Sequence, residues 1–352
     1  MGHLYHLPPY RVEFVTTQLT ETIDWGISSL HVPDTWKSTR GKGIKVGICD
    51  TGIDGQHKLG GDLSGAILDV GDFTNPRRRD NPPGTDHAGH GTHCAGIVAA
   101  RHNDIGVIGV APEASLLIAK VLGNDGSGSG DWIAAGINWC IQSKADIISM
   151  SLGSVYPDPV IREAIEAANA AGIFVIMAAG NEGQPNSVNY PAKFQQGVAV
   201  AAYQRNGTIA PFSSQGPEVD IAAPGQDILS TYLNGGYAKL SGTSMATPFV
   251  AGIVALLLAQ HRGPGSDHAI TNLASLKAVL SHTATDAGPT GRDPAYGWGL
   301  IDPVTILAPP TQPSVPPSPI YKHFPIPKTG LAIYAPARPG DYYSVGDYKS
   351  EE

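Results

Sequence analysis

Residues Phe249 to Ala259, Phe-Val-Ala-Gly-Ile-Val-Ala-Leu-Leu-Leu-Ala, carry no charged or polar side chain. A helix over this run is apolar on every side, so it belongs inside a core rather than on its surface. Such a helix needs cover all round, and a layered fold built from 352 residues can supply it. The run is entered through Leu240-Ser241-Gly242-Thr243-Ser244-Met245-Ala246-Thr247-Pro248. A serine at the mouth of a buried helix sits where unpaired backbone N–H groups and the positive end of the dipole point outwards. From there it can attack a carbonyl while neighbouring N–H groups hold the oxyanion.

The rest of the chain reads as alternating strands and helices. Strands are expected at Ile44–Cys49, Ser115–Val121, Ile147–Met150, Ile173–Met177 and Val198–Ala202. Helices are expected through Ala95–Ala100, Trp132–Ser143, Ile161–Ala171 and Ser244–His261. Short apolar strands between helices imply an α/β three-layer sandwich, a mostly parallel central sheet with helices on both faces. Ligands of such sheets bind at the carboxyl ends of the strands. Three regions are expected: an extended N-terminal arm over 1–19, a catalytic domain over 20–308, and a tail over 309–352 that holds ten prolines interleaved with tyrosines.

The net charge of −8 argues against nucleic acid and against an anionic membrane as partners. No segment is read as long enough for an apolar membrane span. Residues Met1 to Tyr10 lack the basic and apolar regions of a secretory leader, and Cys49, Cys94 and Cys140 show no disulfide spacing. A cytoplasmic location with reduced thiols is therefore expected; a leader removed beforehand would leave the same features.

Chemistry concentrates in three motifs. Cys49-Asp50-Thr51-Gly52 places an acid at the end of a strand, His90-Gly91-Thr92-His93-Cys94-Ala95-Gly96 opens a helix of small residues, and the Gly-Thr-Ser turn presents Ser244. Serine needs a base, histidine is the usual base near neutral pH, and a carboxylate fixes the imidazole tautomer. His87, His90 and His93 with Cys94 could alternatively hold zinc, although Gly89 and Gly91 weaken a regular ligand helix. His93 is otherwise expected to be a packed structural histidine, and Asp54 a turn carboxylate. A fourth motif, Ala178-Ala179-Gly180-Asn181-Glu182-Gly183, follows a strand and offers the Asn181 amide as a neutral donor.

With Asp, His and Ser in this order, the sequence from about residue 20 to 308 resembles the subtilisin family of serine proteases, a standard instance of the triad. The resemblance implies a serine endopeptidase acting on proteins and peptides with broad specificity. Asp50 is implied as the orienting acid, His90 as base and acid, Ser244 as nucleophile, and Asn181 with the Ser244 N–H as the oxyanion hole. It places Ser127, Gly128, Ser151, Leu152 and Gly153 along an extended substrate, paired by main-chain hydrogen bonds. Ala179 to Asn181, Ser151 to Gly153 and Asn189 would surround the side chain before the cut, with Glu182 at the mouth favouring basic or large residues.

Arg101-His102-Asn103-Asp104-Ile105-Gly106-Val107 resembles the family's calcium loop. Carried over, the Ca²⁺ ligands are Asn103, the carbonyls of Arg101, Ile105 and Val107, the Asp62 carboxylate, and Glu21 where the family usually has Gln; all are hard oxygens. An apparent two-residue insertion between Gln56 and Asp62 departs from the pattern. Cys94 is expected beneath His90 as a buried thiol, and strand alternation should turn Cys49 away from the site. Leu7-Pro8-Pro9-Tyr10 is similar to a Leu-Ile-Pro-Tyr segment of intracellular subtilisins, which implies an arm lying across the active site as an inhibitor until removed. Those relatives also suggest a homodimer. A catalytically silent binding scaffold is the alternative function.

Overall fold

The four-to-six-residue apolar runs form the strands of a sheet buried on both faces. The computed structural model describes residues 4–74, 82–262 and 270–308. Its strands are β1 (Leu4–His6), β2 (Arg11–Thr16), β3 (Lys45–Asp50), β4 (Ile67–Asp72), β5 (Ser115–Lys120), β6 (Ser127–Ser129), β7 (Ile147–Met150), β8 (Phe174–Ala178), β9 (Val198–Tyr203), β10 (Ile221–Pro224), β11 (Ile228–Thr231) and β12 (Tyr237–Ser241). Seven of them form the central sheet in the order β10-β9-β8-β7-β3-β5-β4. Every neighbouring pair in it is parallel, so the expected mostly parallel sheet is wholly so. The five strands read from the sequence agree within a residue or so of each end.

Alternation along β3 shows how the layers divide. Val46 and Ile48 point into one core with Val98, Phe249 and Val254, while Cys49 points into the other with Ile133, Ile137, Ile161 and Ile165. The helices Gly130–Gln142 and Pro159–Ala170 cover that second face; His90–Ala99 and Thr243–His261 cover the first. Cys49 is thereby carried away from Asp50's side of the sheet, as the alternation requires.

The Thr243–His261 helix runs for 19 residues with mean hydropathy 1.6, long and apolar enough to cross a membrane by length and composition. The expectation that no segment reaches that length is corrected here. In this fold 89% of its apolar window is buried inside the protein, and each fully buried Leu, Ile or Phe in it contributes roughly 1.5–3 kcal/mol. Gly252 lets the helix approach its neighbour: a Cβ there would lie 2.6 Å from Val110 Cβ. Replacing Gly252 by any larger residue would push these layers apart.

Two small sheets lie outside the central one. In one, β1 pairs with β6; in the other, β12 lies between β11 and β2. Both contain residues of the N-terminal arm, which is therefore paired strand rather than unstructured extension. The unit that contains the sheets ends at Leu307. The Pro- and Tyr-containing tail expected over 309–352 lies outside the described residues.

Candidate active site

Parallel strand ends collect the motifs. Asp50 ends β3, an interior strand between β7 and β5, and His90 opens the His90–Ala99 helix. His90 Nδ1 donates to Asp50 Oδ1 at 2.8 Å, and both side chains are fully buried. Since Nδ1 keeps its proton to donate to the carboxylate, the other ring nitrogen, Nε2, is left as the basic one. Ser244 opens the second turn-to-helix junction and is likewise buried. Among the described residues, His90 Nε2 and Ser244 Oγ are both buried without a hydrogen-bond partner. Neither atom braces the fold, and a buried base and a buried hydroxyl left unengaged are the kinds of group that a proton transfer needs.

The three histidines of the zinc reading do not converge. His93 Nε2 donates to the carbonyls of Ile228 and Ala238, at 3.0 and 3.1 Å, and His87 is exposed. His93 is the packed structural histidine expected; burial pushes its pKa down from 6.5 to about 3. Cys94 does lie beside His90, its sulfur 3.9 Å from Nδ1. Burial raises that thiol well above its ordinary range, so it stays protonated and is a poor nucleophile. Asp54 accepts from the N–H groups of Gln56 and His57 as a helix cap, and from those of Asn234 and Gly235 across the turn.

Asn181 is held in one orientation. Its Oδ1 accepts from Thr243 N at 2.9 Å and from Thr243 Oγ1 at 2.8 Å. Two donors on the oxygen turn the NH₂ towards the cleft, where a developing oxyanion would sit. Gly242 leaves room for that amide, since a Cβ would lie 2.9 Å from Asn181 Nδ2. Beneath Ser244 the helix has a gap in its ladder: Pro248 has no N–H to donate to the Ser244 carbonyl four residues back. Ser151 Oγ fills it at 2.8 Å and Cys94 Sγ at 3.5 Å. Ser151, expected along the substrate, thus supports the Ser244 turn from below.

Four supporting residues were not singled out from the sequence. Asp86, buried, accepts through Oδ1 from Thr51 Oγ1, Ala88 N and Gly89 N, and through Oδ2 from Thr92 N and Thr92 Oγ1. Thr51 Oγ1 in turn accepts from Gly91 N at 2.9 Å. This network ties the turn after Asp50 to the first turn of the His90 helix. Lys120, buried and in register with Asp50, donates to Thr51 O at 2.6 Å and to Asn124 Oδ1 at 2.9 Å. The only sequence signal for the set was proximity: Asp86 lies four residues before His90, and Thr51 follows Asp50.

Ser127, Gly128, Gly153 and Asn181, which the extended-substrate reading names, are in contact with the chain's own arm. β1 is antiparallel to β6, with Tyr5 opposite Gly128 and His6 opposite Ser127. His6 and Gly153 exchange both backbone hydrogen bonds at 3.0 Å, and Leu7 N donates to Gly126 O. Tyr5 is fully buried. Asn181 Nδ2 donates to the Pro9 carbonyl at 2.8 Å, and the Tyr10 ring lies 4.9 Å from the His90 ring, centre to centre. A cavity of about 610 Å³ opens beside Pro8, walled by Gly153, Glu182 and Asn189. Glu182 is exposed, yet both oxygens are engaged, by Asn189 Nδ2 at 2.8 Å and Ser214 Oγ at 2.5 Å. Ala179 and Leu152 are buried in the core, so they face the cleft only through their backbone. Gly180, at φ +116°, closes the turn between Ala179 and Asn181.

Hydrogen bonds hold several residues of the candidate metal loop. Asp62 Oδ2 accepts from Val107 N at 2.8 Å, while Oδ1 is buried without a partner among the described residues. Asn103 Oδ1 has one long contact, 3.3 Å from Ile105 N. The Arg101 guanidinium donates to the carbonyls of Pro112, Ala114 and Gly65, which anchors the loop's start. Glu21 differs from expectation: its carboxylate accepts from the N–H groups of Asn103 and Asp104 and pairs with His102. Oε1 braces the loop's backbone and Oε2 holds the His102 ring, so among the described residues the bonds of both oxygens go to donors rather than to a cation shared with the loop's carbonyls.

The profile of the subtilase family, Peptidase_S8, matches residues 41–299. An intracellular serine protease of Paenibacillus polymyxa is 45% identical over 261 residues, which cover 73% of this chain and 79% of that protein. The major intracellular serine protease of Bacillus subtilis is 44% identical over 238 residues, 66% of this chain and 74% of the relative. Subtilisin E of the same organism is 40% identical over 296 residues, 82% and 72%. With the motifs, the parallel sheet and these likenesses in agreement, the chain belongs to the subtilase family and is a subtilisin-like serine endopeptidase.

Proposed function

We propose that Ser244 is the nucleophile, with His90 as base and then acid, and that the enzyme is held inactive by its own N-terminal arm. The observation that carries the first part is the buried His90–Asp50 hydrogen bond with His90 Nε2 and Ser244 Oγ both unsatisfied. Nε2 takes the Ser244 proton as Oγ attacks the scissile carbonyl. The tetrahedral oxyanion is received by Asn181 Nδ2 and the Ser244 N–H. Asp50 stabilises the imidazolium, which protonates the leaving amine, and water then releases the acyl group by the same steps in reverse. Ser127–Gly128 and Gly153 pair with the substrate backbone, and the cavity beside Glu182 and Asn189 receives the side chain before the cut, with a bias to basic or large residues. The test is labelling by a fluorophosphonate probe: wild type should label and Ser244→Ala should not. An unlabelled wild type would favour the silent scaffold.

Self-inhibition is supported by the arm's path over Gly153, Asn181 and His90. Pro8 and Pro9 lack N–H groups and fix φ, so the chain between Leu7 and Tyr10 cannot make the strand hydrogen bonds that would align a scissile carbonyl. Tyr5 is the anchor. Tyr5→Ala in the full chain should raise the labelling rate about tenfold or more; an unchanged rate would remove the idea.

The metal loop fits a hard cation, because Asp62 Oδ1 is a buried carboxylate oxygen left without a partner. Asp62, Asn103 and the carbonyls of Arg101, Ile105 and Val107 would hold Ca²⁺, which would add stability and no chemistry. The intracellular names of two relatives favour an intracellular enzyme.

A further inference from the structure

The arm does not stop at the catalytic residues. After Pro9 at Asn181 and Tyr10 on His90, it continues as β2, antiparallel to β12 through five register pairs from Ser241–Arg11 to Tyr237–Thr16. β2 is the outer strand of its sheet. When it leaves, the N–H and C=O groups of β12 along that side become an open edge, and an open edge is a template for another extended chain. The edge lies on the leaving-group side of the site, because β12 passes through Gly242 directly into Ser244. The direction is also fixed. A peptide entering by β6 and Gly153, as β1 does, has its carboxyl-terminal half aimed along β12.

We infer that Lys239 of β12, once β2 is displaced, selects an acidic side chain at the fourth residue on the carboxyl-terminal side of the cut. The inference rests on the reading that the arm follows the substrate's path. Counting from Pro9, the fourth residue onward is Glu13, and Glu13 stands opposite Lys239. Both line a groove of about 490 Å³ that also contains Arg205, Asp227 and Arg11. Asp227 is already engaged, its N–H donating to Ser241 Oγ at 2.9 Å and its carboxylate accepting from the same hydroxyl at 3.2 Å. Without Arg11, which leaves with the arm, the two cations that remain in the groove are Arg205 and Lys239. A carboxylate at the fourth position would stand opposite Lys239 with Arg205 in the same groove and one negative charge, Asp227, against it, whereas a lysine there would face two cations. Main-chain pairing supplies the affinity and this cross-strand pair the preference.

The experiment uses the full chain and internally quenched peptides of identical sequence with seven residues after the cut, differing only by Glu, Ala or Lys at the fourth. Each displaces the same arm, so displacement cancels in the ratios of kcat/KM. Wild type should cut the Glu peptide about fivefold faster than the Lys peptide at low salt, the swing from an attractive to a repulsive cross-strand pair. Lys239→Glu should invert the order. Ratios within twofold of one in both enzymes, with cleavage at the designed bond, would overturn the inference and leave the protease reading intact. No cleavage of any peptide by a wild type whose Ser244 also fails to label would overturn both.

Discussion

His93 lends itself to a quantitative test, because its role is separable from catalysis. Its imidazole is buried, Nε2 donates to two strand carbonyls, and Nδ1 has no partner among the described residues. Desolvation pushes its pKa from 6.5 to about 3. Below pH 6.5 the unfolded chain binds a proton that the folded chain refuses until about pH 3. Stability from this group is therefore complete above pH 6.5 and is lost as the pH falls through that window. At about 1.36 kcal/mol per unit, a window of about 3.5 units amounts to about 5 kcal/mol. Asp24 acts in the opposite sense. Burial raises its carboxyl from 3.8 to about 6, against hydrogen bonds from Leu229 and Gly26. The folded state holds that proton first, so acidification from pH 6 to 3.8 adds back about 3 kcal/mol. The two nearly cancel between pH 6 and 4, and His93 dominates below. His93→Gln keeps a donor for the two carbonyls and removes the titration. Measured by urea denaturation in a Ser244→Ala background, its stability relative to the histidine protein should rise by about 3 kcal/mol between pH 6.5 and 4. Other groups titrate equally in both proteins. Curves that run parallel across that range would refute the assignment of the buried, neutral His93.

Asn181→Ala should lower kcat about 10²–10³-fold with little change in KM, as expected for a donor used only in the transition state; an equal loss in KM alone would make Asn181 a binding residue. Asp86→Asn keeps the shape but turns one accepting oxygen into a donor facing Thr92 or Thr51, so it should destabilise the protein by about 1–3 kcal/mol and depress kcat; Asp86→Ala showing full activity and stability would make the network dispensable. Excess chelator should lower the melting temperature of the wild type, and Asp62→Asn should be less sensitive to it; a wild-type melting temperature unmoved by chelator would remove calcium from the loop.

What was legible in the sequence was local. Asp50, His90, Asn181 and Ser244 stand at junctions where an apolar strand or helix meets small residues, and the order of those junctions could be read without knowing what touches what. The central strands were legible because four to six consecutive apolar residues between helices leave little else to form. β6 and β12 were not, because Ser-Gly-Ser and Tyr-Ala-Lys-Leu-Ser have no sustained period; β6 pairs with a strand more than 100 residues away, and β12 lies between its hairpin neighbour β11 and β2, which is also more than 100 residues away. Asp86 was missed for the same reason: its five hydrogen bonds converge from a strand turn and a helix start that only the fold brings together. Glu21 shows the converse. A carboxylate near a loop of carbonyls reads as a cation ligand, but the same loop also presents N–H groups, and these took it.

The site and the arm share parts, and that would limit how the proposed inhibitor could be released. Gly242 and Ser244 follow β12, so any strain at β12 is felt at the nucleophile's turn. Its outer side is closed by β2 through main-chain hydrogen bonds, whereas the Tyr5 end of the arm is held by β6 and a buried side chain. Between the two, the prolines at 8 and 9 supply no N–H groups at all. The arm is therefore tied at both ends and weakest over the catalytic residues. Loss of the Tyr5 anchor would free the amino-terminal half while β2 still covers β12. Such an intermediate would admit short peptides before it admits extended ones. Tyr5→Ala should accordingly accelerate probe labelling more than it accelerates cleavage of a peptide with seven residues after the cut. Equal acceleration of both would mean that the arm leaves as one unit and that β2 has no hold of its own.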